Sequence, residues 1–320
     1  MAYRQVNRSG LAGPSTSLTA GPSFGVPPIL RFGSKQLQEK YLPELLLGKK
    51  RSCIAITEPS AGSDVANIQT TAKKSQDGKY YIVNGTKKWI SNGIWTDYST
   101  MAVRTGGPGA DGLSLMVVPL KSYPGVTMHR LKVQGQLSGG TTFIELDDVK
   151  VPVENLIGQE GMGMKVRIIL LIPRRRNANS SQYVMTNFNH ERLTIAICAT
   201  RQARVALSAA MEYVMKREAF GKPLVDQPVV RHRLAKSAAL LESLQAWVEQ
   251  FVYQMTKLPK EIADVQLGGL TALVKAHSGI VINECAQCAV LLFGGNGYTK
   301  TGQGEIAESK LNGLVCLLKD

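Results

Sequence analysis

The apolar period of this 320-residue chain changes twice along its length, and those changes limit what it can fold into. Between Ser34 and Leu47, Leu37, Tyr41 and Leu45 recur every fourth residue with Leu42 and Leu46 beside them, which is a helical stripe. Pro43 is expected to kink or restart that helix, and Gly48 to stop it. From Arg51 to about Gly158 the pattern is that of short strands. Tyr80–Val83, an Asn84-Gly85 turn and Thr86–Ile90 form a predicted hairpin. Further strands are predicted at Tyr98–Arg104, Leu113–Pro119, Val126–Leu131 and Thr142–Val151, with Gly106–Gly112 as a loop. Strands this short and evenly spaced suggest a compact antiparallel barrel or sandwich. From Tyr183 onward the chain reads as helix, with long amphipathic runs over Leu193–Lys216, Val229–Lys257 and Glu261–Phe293 that favour a bundle. Arg217–Pro223 and Pro259 break these runs. Residues 1–28, rich in Gly, Ser, Thr and Pro with no sustained period, are expected to be poorly ordered.

Composition narrows the class further. At 44% hydrophobic residues the chain can bury a substantial core, which excludes wholesale disorder. It has no uninterrupted apolar run of the roughly 18 residues that mark a membrane-spanning helix. Its first residues lack the apolar core of a secretory signal. Cys53, Cys198, Cys285, Cys288 and Cys316 form no disulfide-type framework, which fits a reducing, intracellular compartment. Cys285-x-x-Cys288 lies inside an apolar helical run without a second pair or a His pair nearby, so both are expected to be small buried helix residues and no metal is expected. The net charge of +14 points to phosphate-rich ligands, nucleic acid or anionic surfaces.

Two segments carry the chemistry. An apolar stretch, Cys53-Ile54-Ala55-Ile56, leads into the turn Thr57-Glu58-Pro59-Ser60-Ala61-Gly62-Ser63-Asp64, where backbone amides and hydroxyls gather. About thirty residues later Trp89-Ile90-Ser91-Asn92-Gly93 follows a second strand. Together they resemble the flavin-binding signature of the acyl-CoA dehydrogenase family. The resemblance implies FAD as cofactor, with Thr57 and Ser91 against the isoalloxazine and Trp89 packed on its face. Ile54, Ile56, Gly62 and Ser63 would line the flavin or the acyl thioester, Ser63 also touching substrate.

Three more motifs agree in order and spacing. Phe188-Asn189-His190-Glu191-Arg192-Leu193 heads the first long helix, where some branches of the family carry the base that removes the substrate's α-proton. That implies Glu191 as catalytic base and Arg192 as a substrate-side arginine, against the alternative of Glu191 as a solvated carboxylate favoured by the helix dipole. His190 reads as structural or phosphate-side. Arg217-x-x-Phe220-Gly221-Lys222 matches an R-x-x-F-G motif that reaches the FAD of a neighbouring subunit, and Gln227 follows at the family's interval. Phe293-Gly294-Gly295-Asn296-Gly297-Tyr298 resembles a glycine loop beside the cofactor's diphosphate. Leu291 stands where the family usually carries Gln.

By resemblance the fold class is α+β multidomain, with α–β–α order: residues 1–50 a remnant of an N-terminal helical domain, 51–160 a middle β-barrel or sandwich domain, and 161–320 a C-terminal helical bundle. Both family termini are expected to be missing, and residues 309–320 resemble none of the family's continuation. Val166–Gln182 interrupts an otherwise smooth passage, and it carries Arg167, Arg174, Arg175 and Arg176 without an acid. Two readings stand: a retained intron translated in frame, since Val and Gln codons can hold its boundaries, or a surface insertion of the kind loops tolerate.

The function implied is FAD-dependent α,β-dehydrogenation of an acyl-CoA. An electron acceptor such as an electron-transfer flavoprotein is expected, and a homodimer or homotetramer, in mitochondria, peroxisome or cytoplasm. Competing readings are an acyl-CoA or nitroalkane oxidase on the same fold, a DNA-associated flavoprotein, and an inactive truncated product. The basic–aromatic interleaving of a nucleic-acid groove is lacking, so no nucleic-acid partner is expected.

Overall fold

The structure is a computed structural model that describes residues 2–9, 12–133, 136–163, 183–259, 262–263, 266–299 and 301–306. Val166–Gln182 and residues 309–320 lie outside the described residues, as does the side chain of His190. Contacts divide the chain into two units. One comprises residues 16–133 and 137–191 and holds the sheet; the other comprises residues 1–15, 134–136 and 192–319 and holds the bundle.

The N-terminal region is helical, contrary to the expectation of poor order. It forms α1 (Ala2–Val6), a 3-10 turn (Asn7–Ser9), α2 (Ala12–Ala20), a π-helical turn (Gly21–Gly25) and α3 (Val26–Phe32). Its glycines are packing devices. A Cβ on Gly21 would sit 2.7 Å from the Ser52 carbonyl oxygen, and one on Gly25 would sit 2.8 Å from that of Cys53. Backbone therefore lies against backbone where larger residues would hold the helix off the strand. The Thr100 hydroxyl donates to the Gly25 carbonyl at 2.5 Å and ties this turn to the sheet.

Helix α4 (Lys35–Leu46) starts where Ser34 caps it, its Oγ accepting from the Leu37 N–H at 3.1 Å. Pro43 lies inside it and does not restart it, for the helix continues to Leu46. Leu37, Tyr41, Leu42 and Leu45 are all buried, and their packing outweighs the lost hydrogen bond.

The strands are β1 (Ser52–Ala55), β2 (Thr71–Lys74), β3 (Tyr80–Ile90), β4 (Tyr98–Arg104), β5 (Leu113–Pro119), β6 (Val126–Arg130), β7 (Thr142–Pro152) and β8 (Leu156–Ile157). They make one sheet in the order β6-β7-β3-β2-β4-β5-β8, with β1 on β4. The sheet is mixed, where a purely antiparallel one was expected: β1 and β2 both run parallel to β4. The predicted hairpin at Asn84-Gly85 is absent, because β3 passes straight through, and the extra residue of a bulge lies opposite it on β7, between Val149 and Leu146. The Asn84 side chain accepts from the Asp148 N–H at 2.8 Å and donates to its carboxylate at 2.9 Å. Gly85, at φ 143°, lies where a Cβ would come 2.7 Å from Thr70 Cα. A long-range pairing thus keeps Asn84-Gly85 within the strand, while the partner carries the bulge, with Asp148 at φ 47°.

The central strands are apolar on both faces. Leu113, Leu115 and Val117 of β5 pack with α3 and α4 in one cluster, while Met116 and Val118 join Tyr81, Val83, Ile144 and Val149 in another.

In the bundle unit, α5 (Tyr183–Lys216, of which residues from 192 belong to this unit), α6 (Pro228–Lys257) and α7 (Gly268–Phe293) bury one cluster that includes Ala203, Leu244, Phe251, Val281 and Phe293. The third helix runs from Gly268, residues 262–263 and 266 before it are also helical, and the expected start at Glu261 lies outside the described residues. By length and composition alone this helix is long and apolar enough to cross a membrane, and over half of its most apolar stretch is buried. Cys285 and Cys288 are buried in it, and burial pushes the Cys285 thiol up to about 12, which makes it a poor nucleophile.

Candidate functional site

In the sheet unit β1 runs out into the turn Thr57–Asp64. The turn closes by reciprocal bonds, Glu58 N–H to the Ala61 carbonyl at 3.0 Å and Ala61 N–H to the Glu58 carbonyl at 3.3 Å. The Lys88 N–H then donates to the Thr57 carbonyl at 2.9 Å, which brings the two sequence motifs side by side. Between Lys87 and Ile90 the β3–β7 register slips. Trp89 sits in that bulge at φ 65° with 43% of its surface exposed, and Lys88 Nζ lies 4.8 Å over its ring. A bulky residue in the left-handed region costs about 1–2 kcal/mol, a strain usually kept where it serves a site. Next come half-buried Ser91 and buried Asn92, whose N–H donates to the Gly139 carbonyl at 2.8 Å. Ile56 is buried, Ile54 and Thr57 are half-buried, and Gly62 and Ser63 occupy the exposed outer part of the turn.

The residues that hold this face together escaped the reading of the sequence. Lys87 is fully buried, and its ammonium donates to the Ile56 carbonyl at 3.0 Å and to Glu58 Oε1 at 2.8 Å. The Glu58 carboxylate also accepts from the Gln69 N–H at 2.6 Å and the Thr70 N–H at 2.9 Å. One ion pair thus pins the Thr57 turn to the strand that carries Trp89. Burial pushes the Lys87 ammonium down to about 8 against the pull of Glu58, leaving it charged at neutral pH. Burial opposes ionisation of Glu58, but the Lys87 charge and the hydrogen bonds outweigh it and hold the carboxyl below its ordinary value of 4.5.

A pH dependence follows. A carboxyl whose folded value is depressed adds stability that is fully present above the unfolded value and is lost as pH falls through the folded one. Urea unfolding of the wild-type chain is therefore expected to show stability declining below about pH 4.5, with the decline shallower in Glu58→Gln; identical acid limbs would contradict this role for the pair.

In the bundle unit the R-x-x-F-G motif forms a two-residue hairpin between β9 (Glu218–Ala219) and β10 (Lys222–Pro223). Phe220 and Gly221 occupy its corner at φ 57° and 74°, the double left-handed arrangement of a type I′ turn. Phe220 is 92% exposed, so this unit's packing gives no return for the strain. Replacing it with Asn, which suits that corner, is expected to raise stability by about 0.5–1 kcal/mol in urea unfolding while weakening FAD binding. A loss of stability would show that the ring serves the fold instead.

Arg217 is exposed at the end of α5, its N–H donating to the Tyr213 carbonyl at 2.8 Å. The Tyr213 ring meets Phe293 edge-on at 5.4 Å, and its hydroxyl accepts from the Asn296 amide at 3.2 Å. The hairpin and the Gly294–Tyr298 turn are thus joined at one end of the bundle. Gly294 takes φ 58°, Gly295 is exposed, and Gln227 is the half-buried residue that precedes α6. Leu291, the departure noted above, is exposed. On α5, Glu191 is buried and Arg192 half-buried.

These residues fit the group the motifs imply. A Cβ on Gly62 or on Gly295 would meet nothing within 4 Å, so backbone there is open to close approach. The sheet unit offers an aromatic ring and hydroxyls, suited to a planar polar heterocycle. The bundle unit offers a guanidinium and open glycine backbone, suited to a diphosphate.

Comparison with known proteins agrees. Residues 53–149 match the acyl-CoA dehydrogenase middle domain, and residues 181–309 match the acyl-CoA dehydrogenase C-terminal domain. The acyl-CoA dehydrogenase apdG of Emericella nidulans is 70% identical over 307 residues, covering 96% of this chain and 66% of that protein. An acyl-CoA dehydrogenase of Bacillus subtilis is 31% identical over 302 residues, covering 94% of this chain and 73% of the relative. The solved butyryl-CoA dehydrogenase of Megasphaera elsdenii superposes with a TM-score of 0.83 at 27% identity, covering 98% of this chain and 76% of that one. The fold is the α+β fold of the acyl-CoA dehydrogenases. The chain belongs to the acyl-CoA dehydrogenase family. It spans about two thirds of the length of the Emericella relative, and 65% of an Alternaria alternata acyl-CoA dehydrogenase.

Proposed function

We propose that this chain carries the FAD- and acyl-CoA-binding machinery for α,β-dehydrogenation of an acyl-CoA thioester. The observation that supports this best is the joining of the Thr57 turn to the strained Trp89 bulge through the Lys88–Thr57 bond and the Glu58–Lys87 pair. FAD, when bound, supplies the hydride acceptor.

The residues have distinct tasks in this reading. Thr57 and Ser91 offer hydroxyls and amides to the flavin ring, Trp89 packs on it, and Ile56, Gly62 and Ser63 complete the wall, Ser63 also touching the thioester. Arg217, Phe220, Gln227, Gly294 and Gly295 bind the diphosphate and adenosine of a neighbouring subunit's cofactor, which calls for a homodimer or homotetramer. Arg192 holds the acyl-CoA. Glu191 takes the substrate's α-proton on its carboxylate, and burial suits that role by keeping water away from the carboxylate. An electron-transfer flavoprotein serves as the electron acceptor in this reading.

The test is to mix the FAD-loaded chain with acyl-CoA esters of graded length and an artificial electron acceptor. Appearance of a 2-enoyl-CoA, lighter by two hydrogens, supports the proposal. Product formed only with consumption of molecular oxygen would favour the oxidase reading, and no product at any length would overturn it for this chain.

A further inference from the structure

Within the bundle unit, the buried Asn7 side chain anchors the N-terminal helix to α5. Its amide donates to Cys198 Sγ at 3.1 Å, and its Oδ1 accepts from the Gln202 amide and the Ser15 hydroxyl, both at 2.9 Å. This anchor falls between Arg4 and Arg8 on one segment and beside Arg201 on the other. Arg204 shares the face of Arg201, three residues further along α5. Arg201 Nε is buried and has no hydrogen-bond partner. Arg4 and Arg8 are exposed, and among the described residues no carboxylate lies within ion-pair distance of either of them or of Arg201. Glu242 pairs with Arg204 at 2.7 Å, and the charge of Glu249 also acts on Arg204. Burial, then the positive charges of Arg4, Arg8 and Arg204, hold the Arg201 guanidinium below its ordinary value.

We propose that Arg4, Arg8, Arg201 and Arg204 form a binding site for a phosphate-bearing anion, separate from the residues assigned to FAD and acyl-CoA. Like charges gathered around a buried N–H repel one another and leave a donor unsatisfied, and both costs disappear when an oxyanion takes the centre. Guanidinium groups suit phosphate because their forked N–H pairs meet its oxygens two at a time. A carboxylate presents only two oxygens, whereas a phosphate presents enough acceptors for several arginines at once.

The experiment titrates the whole chain with inorganic phosphate, pyrophosphate or ADP by calorimetry and thermal shift, at ionic strength matched with chloride. The variants are Arg201→Gln, the double change Arg4→Gln/Arg8→Gln, and Arg217→Gln as a change at the proposed FAD site. Saturable binding in wild type, weakened at least about tenfold by the first two variants and retained in Arg217→Gln, supports the site. Pyrophosphate and ADP binding alike would identify phosphate itself as the recognised group; tighter ADP binding would identify a nucleotide source. In anion-free, low-salt buffer the double variant is expected to melt no lower than wild type, because it removes repulsion; purely structural arginines would lower its melting point. A lower melting point there, no binding up to millimolar anion, or binding that the Arg4, Arg8 and Arg201 changes leave intact overturns the proposal. FAD binding unchanged in the double variant keeps this result separate from that of the dehydrogenase reading.

Discussion

Replacing Lys87 with Met is expected to destabilise the sheet unit by about 3–5 kcal/mol in urea unfolding, because it leaves the Glu58 carboxylate buried without its cation. The geometry accounts for the size. Lys87 is fully buried, and the Glu58 side chain is only 3% exposed, so water cannot replace the lost partner. The carboxylate would retain its bonds from Gln69 and Thr70, but these are neutral donors. Glu58→Gln should cost less, since the amide oxygen still accepts from backbone while Lys87 keeps the Ile56 carbonyl. The double change Glu58→Gln/Lys87→Met should recover part of the loss, for a buried pair replaced as a whole costs less than a pair broken. Additive losses in that cycle would mean the two side chains do not act together. Because Lys87 lies two residues before Trp89, these variants should also weaken flavin retention.

Replacing Glu191 with Gln is expected to lower the rate of flavin reduction by acyl-CoA by about 10²–10⁴-fold while FAD still binds. The amide preserves shape and removes the proton acceptor. Rapid-mixing measurements under anaerobic conditions separate the two effects, since the reduction rate falls and the flavin content does not. An unchanged rate would remove Glu191 from the chemistry and direct attention to another carboxylate.

Much of this architecture could be read from the residues, and the failures share a cause. Tyr98–Arg104 and Leu113–Pro119 were located to the residue, because buried strands with two apolar faces give unbroken apolar runs between clear turn signals. Asn84-Gly85 misled because what keeps this turn-type pair within a strand is its pairing with Asp148, 64 residues away along the chain on the bulged partner strand. The N-terminal glycines looked like disorder in composition, whereas Gly21 and Gly25 are spaced four apart to lie against β1. The mixed sheet was missed because parallel pairing of β1 with β4 depends on a crossover that no local pattern records. At the candidate site the motif residues were legible but their support was not. Lys87 and Glu58 were assigned no role; the one available signal was that Lys87 shares the inward parity of Tyr81 and Val83 along β3. Phe220 was visible as a motif letter, yet its left-handed corner and near-complete exposure required the backbone.

The most direct test of the central claim is the visible spectrum of the purified chain reconstituted with FAD, recorded before and after anaerobic addition of acyl-CoA. The account predicts a retained flavin band that bleaches on addition of substrate, and bleaching that becomes slow in Glu191→Gln. A chain that retains no flavin, or a bound flavin that no acyl-CoA bleaches, would contradict it.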